Sequence, residues 1–315
     1  MYNFARENRS ETKSDNQTKK EMKKIVLLLA LLTVSFMEVS AKNALVVIAH
    51  GSPMPQWCKP VLNIEGLLQK ELADVKGISY VRVAMMEFTE PTIASVVEDC
   101  EKQGVDTIFA IPLFMAPSGH SEMDIPNLFG HKFDAATVAE LKGENAKFVH
   151  TKLPIIVGPT LSYDDFLEKT MLQRVKEMST APKDEAVLFV AHGDDQFIGF
   201  WNEKMESICS YVKQETGIEE TDYKFVAMGA KMVSEMVPAI VQKSEKKPRV
   251  LVQGVYLTSS AKEMVGAFGV ENVLKQALPN QQTEVVFSAN GILPASTNEV
   301  CAWLKARTLE WLSSK

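Results

Sequence analysis

Apolar runs of strand length recur along the chain, each followed by a stretch whose apolar residues return at helical spacing. Residues 44–49 (ALVVIA), 78–86, 106–113 and 147–157, the last interrupted by Pro154, read as strands, with helical patterns at 57–74, 92–103 and 160–179. After a polar stretch at 179–185 (STAPKDE) the alternation restarts, with strands at 186–191, 223–229, 249–257 and 283–288 and helices at 197–216, 231–243, 262–277 and 297–313. A strand that is apolar at nearly every position is covered on both faces, as parallel strands joined by crossover helices are. The pattern therefore predicts an α/β protein of two similar doubly wound parallel-sheet domains, the first over 42–180 and the second over 181–315.

The two halves also share sequence. LVVIAHGS (45–52) aligns with LFVAHGDD (188–195) and puts His50 opposite His192 at an offset of 142 residues. PLFMAPSGHSEM (112–123) aligns with GVYLTSSAKEM (254–264) at an offset of 141. An internal duplication accounts for both matches. The copies diverge at their polar positions, since His120 falls opposite Ala261 and MMEFTEP (85–91) opposite AMGAKM (227–232). A single site in the first half, covered by the degenerate second half, is the expectation.

Open parallel sheets bind ligands beyond the carboxyl ends of their strands. His50, followed by Gly51 and Ser52, leaves the first strand there, and Ser118, Gly119 and His120 follow the third. If those strands are parallel neighbours, the two imidazoles converge, and neutral imidazole suits borderline divalent ions such as cobalt, nickel, iron or zinc. MMEFTEPTI (85–93) brings Glu87 and Glu90 to the same edge. Glu90, just before Pro91, suits a helix N-terminus, which leaves Glu87 as the carboxylate to complete a metal's coordination or to accept protons. The candidate metal-binding and catalytic set is thus His50, His120 and Glu87, with Ser52, Ser118, Glu90 and His192 as weaker substrate contacts. His131 and His150 have no His or acidic neighbour at ligand spacing and read as surface residues. There is no dinucleotide fingerprint after a strand, no phosphate loop and no G-x-S-x-G elbow, and a hydrolase built on Ser52 or Ser121 is a distant third reading. Met85, Met86, Met115 and Met123 read as adaptable packing.

Composition changes the picture chiefly at the N-terminus. Residues 22–44 have the three parts of a secretory signal: Lys23 and Lys24, an apolar core from Ile25 to Met37, and small residues ahead of a cut after Ala41. Met22 reads as the start, and the 13-residue core falls short of the roughly 20 residues a membrane span needs. Export to the periplasm is expected, without a lipoprotein anchor, since no Cys ends the signal. Residues 42–315 then carry 27 Lys+Arg against 35 Asp+Glu, a net charge of −8, which argues against nucleic acid and anionic membrane surfaces as partners. Cys58, Cys100, Cys209 and Cys301 lack C-x-x-C spacing, so a structural zinc site is not expected; pairing and simple burial both remain open.

Together AHGS (49–52), E-F-x-E-P-T (87–92) and P-L-F-x-x-x-x-G-H-x-x-x-D-I-P (112–126) resemble the class II tetrapyrrole chelatases of the CbiX and CbiK sirohydrochlorin cobaltochelatase type. The likeness is specific over 44–126 and weaker over 186–290. It implies two α/β domains around a tetrapyrrole cleft, a divalent ion and a metal-free tetrapyrrole as substrates, and no organic cofactor. His50 and His120 match the family's active-site histidines, and Glu87 matches its acidic partner. The implied reaction is insertion of Co²⁺, with Fe²⁺ or Ni²⁺ as alternatives, into a sirohydrochlorin-like ring, as in cobalamin and siroheme synthesis. The rival reading is an exported carrier of haem, another tetrapyrrole or free metal on the same fold, and a homo-oligomer is compatible with either. Residues 129–147, poor in apolar side chains, suggest a lid.

Overall fold

Each half folds into the same four-stranded parallel sheet. In the first, β1 (Asn43–Ala49) lies between β2 (Ile78–Met85) and β3 (Thr107–Pro112), and β4 (Ile155–Val157) closes the order β2-β1-β3-β4. In the second, β5 (Glu185–Ala191) lies between β6 (Glu220–Phe225) and β7 (Arg249–Val255), with β8 (Glu284–Phe287) giving β6-β5-β7-β8. All ladders are parallel. The structure is a computed structural model that describes residues 20–24, which are helical (α1), 41–279 and 282–315. The expected signal core, 25–37, lies outside the described residues, and among these no helix is long and apolar enough to cross a membrane.

Why the central strands are apolar throughout follows from the two faces they cover. Leu45, Val47 and Ala49 of β1 and Val187, Phe189 and Ala191 of β5 point into one shared core. Ala44, Val46 and Ile48 point the other way, under α3 (Ile93–Lys102), while Leu188 and Val190 enter a separate core of the second half. The shared core also takes α2 (Pro55–Glu71), α6 (Phe166–Met178), α7 (Ile198–Thr216) and α11 (Thr297–Ser313). Residues 42–315 accordingly form one compact unit.

The last helix of each half packs across to the other. α6 follows β4 in sequence, yet its Glu168 accepts from Lys204 of α7 at 2.7 Å, and both side chains are buried or nearly so. α11 follows β8, yet Trp311 stacks on Phe109 of β3, centroids 4.7 Å apart and 6° between planes, and Lys315 reaches Asn43 Oδ1 of β1 at 2.9 Å. The polar stretch at 179–185 divides the sequence, but not the core.

Several expected elements are displaced. β4 is confined to Ile155–Val157 because Pro154 lacks the N–H a longer ladder would need. β6 runs over Glu220–Phe225 rather than 223–229. Val226 is buried, and the chain then turns through Ala227–Gly229 with Met228 at φ 55°. The helix expected at 231–243 begins as a π-helical turn, Met232–Met236, before α8 (Val237–Ser244). The helix expected at 262–277 breaks into α9 (Ala261–Ala267) and α10 (Val270–Ala277) at Gly269, φ 62°. Within 129–147, α5 (Ala135–Gly143) buries Thr137 and Leu141, which anchors that segment to the outer core. All four cysteines are buried free thiols.

Candidate active site

Register brings three loops to one edge of the first sheet. Ile48 pairs with Pro112 of β3, and Ala49 pairs with Met85 of β2, so His50, Glu87 and the loop after β3 emerge side by side. The β1–β2 pairing runs past the strands: Met86 N–H donates to Ala49 O at 2.8 Å, and Glu87 N–H to His50 O at 2.9 Å. Gly51 permits this closeness. It sits at φ +94°, where a Cβ would lie 2.2 Å from the Glu87 carbonyl oxygen.

His120 opens a π-helical turn, His120–Asp124, that continues into α4 (Ile125–Leu128). Its ring stands edge-on to that of His50, with centroids 4.6 Å apart and 75° between planes. One ligand atom from each of His50, Glu87 and His120 lies within 4.8 Å of the other two. The His50 Nε2 to Glu87 Oε2 distance is 3.9 Å, and the Glu87 side chain is only 11% exposed.

Tautomers follow from the partners of the other ring nitrogens. His50 Nδ1 lies 3.0 Å from the Gly51 carbonyl, which can only accept, so Nδ1 carries the proton and Nε2 keeps its lone pair toward Glu87. His120 Nδ1 lies 2.7 Å from Asp124 Oδ2, four residues on, an arrangement that fixes the ring and strengthens Nε2 as a base or ligand.

The three groups are tuned apart. Burial lowers the His50 pKa and the His120 charge adds to it, against the opposing pull of the Gly51 carbonyl and Glu87. Burial also works against the charged form of His120, but the Asp124 hydrogen bond and charge, with Glu87 and Asp194, raise its pKa on balance. Burial raises Glu87, opposed by both histidines. His50 is thus the group most easily kept neutral, while His120 and Glu87 hold protons above their ordinary ranges.

This gives a signed expectation for pH. A proton on His120 competes with a metal, so binding there strengthens as pH rises, and at fixed metal concentration the raised His120 pKa moves that rise to higher pH. Asp124→Asn removes the main raising influence and moves the midpoint of Co²⁺ binding, at fixed Co²⁺ concentration, to lower pH, read from visible Co²⁺ absorbance. A midpoint that stays put or rises would remove Asp124 from this role.

The other candidates lie around this cluster without joining it. Ser52 Oγ accepts from Met54 N–H at 3.1 Å, in the turn ahead of α2. Ser118 and Ser121 bond each other, Ser121 Oγ accepting from the Ser118 amide at 2.9 Å. Glu90 accepts from Thr92 N–H and Ser95 Oγ and pairs with Lys147 at 2.9 Å, interactions that hold its carboxyl down to about 2. His192 is exposed on the second half's copy of the loop, near enough for its charge to act on His50. His131 and His150 are exposed and stand apart. Sequence reasoning missed Asp124, although its i, i+4 spacing from His120 was a readable signal. It also missed Phe88, at φ 65°, which is 64% exposed with its ring 5.9 Å from His50.

Residues 44–178 match the model of the CbiX family. That match falls within the first half and takes in the whole of the first sheet but Asn43. The sirohydrochlorin cobaltochelatase of Methanococcus maripaludis is 35% identical over 89 residues, 28% of this chain and 58% of that protein. That of Methanosarcina barkeri is 27% identical over 139 residues, 44% of this chain and 98% of the relative. The chain thus spans little more than half the length of the first of these, and most of the second. A solved structure, SirB from Bacillus subtilis with Fe³⁺, is similar in fold over both halves, with a TM-score of 0.60 at 18% identity, covering 85% of this chain and 95% of that one. The CbiX match contains His50, Glu87 and His120, and the chelatase-like fold extends beyond it into the second sheet.

Proposed function

We propose that the protein is a metal–tetrapyrrole chelatase that inserts a divalent ion, Co²⁺ in the first instance, into a ring of the sirohydrochlorin class. The observation that carries this is the convergence of His50, Glu87 and His120 within 4.8 Å on the lip of the first sheet. Two imidazoles and a carboxylate hold a borderline ion on exchangeable ligands. Insertion replaces two pyrrole N–H protons by one ion, so two acceptors are needed beside it. His120, backed by Asp124, takes one as it releases the ion, and Glu87, with its raised pKa, takes the other. Phe88 offers the macrocycle an apolar face at the same lip. The names of the curated relatives support sirohydrochlorin as the ring and cobalt as the ion.

The test is absorbance-monitored Co²⁺ insertion into sirohydrochlorin by residues 42–315, wild type against His120→Ala. We expect protein-dependent insertion that falls at least about tenfold in the variant, since His50 and Glu87 remain as ligands. Binding of the ring without insertion above the protein-free rate, with Co²⁺, Ni²⁺ and Fe²⁺ alike, would replace the enzyme by a carrier. Export by the 22–41 segment belongs to the same proposal, and a processed protein found by mass spectrometry to begin at Met1 or Met22 would overturn it.

A further inference from the structure

The second half repeats the histidine loop of the first without repeating its site. Ala227 N–H donates to His192 O at 3.1 Å just as Glu87 N–H donates to His50 O, so Ala227 stands where the first half has its carboxylate. Gly193, at φ +74°, repeats the positive φ of Gly51. Asp194 stands where the first half has Ser52, and here the copies differ in reach.

Both residues close the turn ahead of the next helix. Ser52 Oγ accepts from the amide two residues on, Met54, and Asp194 Oδ1 accepts likewise from Gln196 at 2.9 Å and from Phe197 at 3.1 Å. Asp194 has a second oxygen. Its Oδ2 accepts from the Gly119 amide at 2.9 Å, the residue immediately before His120 and 75 positions away in sequence. The first amides of a helical turn have no acceptor within the turn, and a carboxylate is favoured there. A second bond from the same half holds the same loop: Trp201 Nε1–H of α7, in the shared core, donates to Pro117 O at 3.0 Å.

We propose that Asp194 is a positioning residue for His120, holding the Gly119 amide so that the π-helical turn presents the imidazole to His50 and Glu87. The duplicated loop has thus passed from building a site to bracing the one opposite. This rests on the reading of His120 as a metal-binding group.

Asp194→Ser in the full chain separates the brace from the local turn, because the hydroxyl can accept from Gln196 as Ser52 does from Met54 but is too short to reach Gly119 as well. Co²⁺ affinity is read by visible absorbance titration, and thermal melting is followed without metal. We expect affinity to fall about tenfold or more, with melting lowered by no more than about 5 °C. On a His120→Ala background the same change should add nothing, since it acts through His120. Wild-type affinity in Asp194→Ser, alongside a weakened His120→Ala, would overturn the brace and leave the site intact. An equal further loss on both backgrounds would also overturn it, by showing a general effect on folding. If His120→Ala itself binds Co²⁺ as wild type does, the functional reading fails and this inference fails with it.

Discussion

On the proposed function, Glu87→Gln is expected to lower the rate of metal insertion by about two to four orders of magnitude, the range for removal of a positioned acid or base, with little change in tetrapyrrole binding. Gln is isosteric and keeps one oxygen, so the space beside His50 stays filled and the β1–β2 pairing through the Glu87 amide is untouched. What disappears is a carboxylate that is 11% exposed, 3.9 Å from His50 Nε2, and raised by burial above its ordinary pKa, which makes it a better proton acceptor. An amide can neither take a pyrrole proton nor balance the charge of a divalent ion. Single-turnover absorbance kinetics at saturating ring and metal read the chemical step directly. Turnover within about threefold of wild type would take Glu87 out of proton transfer and leave His120 as the acceptor to pursue. A carrier, by contrast, would lose only part of its metal affinity.

Much of this arrangement was legible in the sequence because the central strands must be apolar on both faces. β1, β3, β5 and β7 were found within a residue or two for that reason, and the repeat of AHG at an offset of 142 announced two equivalent sheets. Among the edge strands β2 and β8 were equally legible, whereas β4 and β6 were not. Every residue of β6 is half-buried and ETDYKF has no apolar run, so the apolar signal lies instead in FVAM, whose Val226 is core but whose Met228 is 64% exposed in a turn. The convergence of His50 and His120 could be inferred from strand adjacency, and Asp124 could have been inferred from helical spacing. Asp194 could not. Its role depends on the second half lying against the loop of the first, and no local pattern encodes that. The exchange of α6 and α11 was hidden for the same cause: their amphipathic faces are visible in sequence, but not which sheet each will cover.

Gly51→Ala is expected to damage stability and site together, because one atom stands between β1's exit and the backbone of Glu87. A non-glycine residue at φ +94° is strained by about 1–2 kcal/mol before any contact is considered. The new Cβ would also meet the Glu87 carbonyl oxygen at 2.2 Å and its carbon at 3.1 Å, backbone atoms with no rotamer to yield. Relief requires parting β1 from the end of β2, at the expense of the Glu87 N–H to His50 O bond. Overpacking of this kind adds about 1–3 kcal/mol, so melting should fall by roughly 5–15 °C. Co²⁺ affinity should fall as well, since Glu87 moves away from the histidines. Gly66→Ala, on α2 with nothing within 4 Å of the added Cβ, is the matched control for loss of a glycine. Melting and Co²⁺ affinity both within error of that control would mean the loop yields without moving Glu87, and the close approach of the two backbones would then have no part in setting the site.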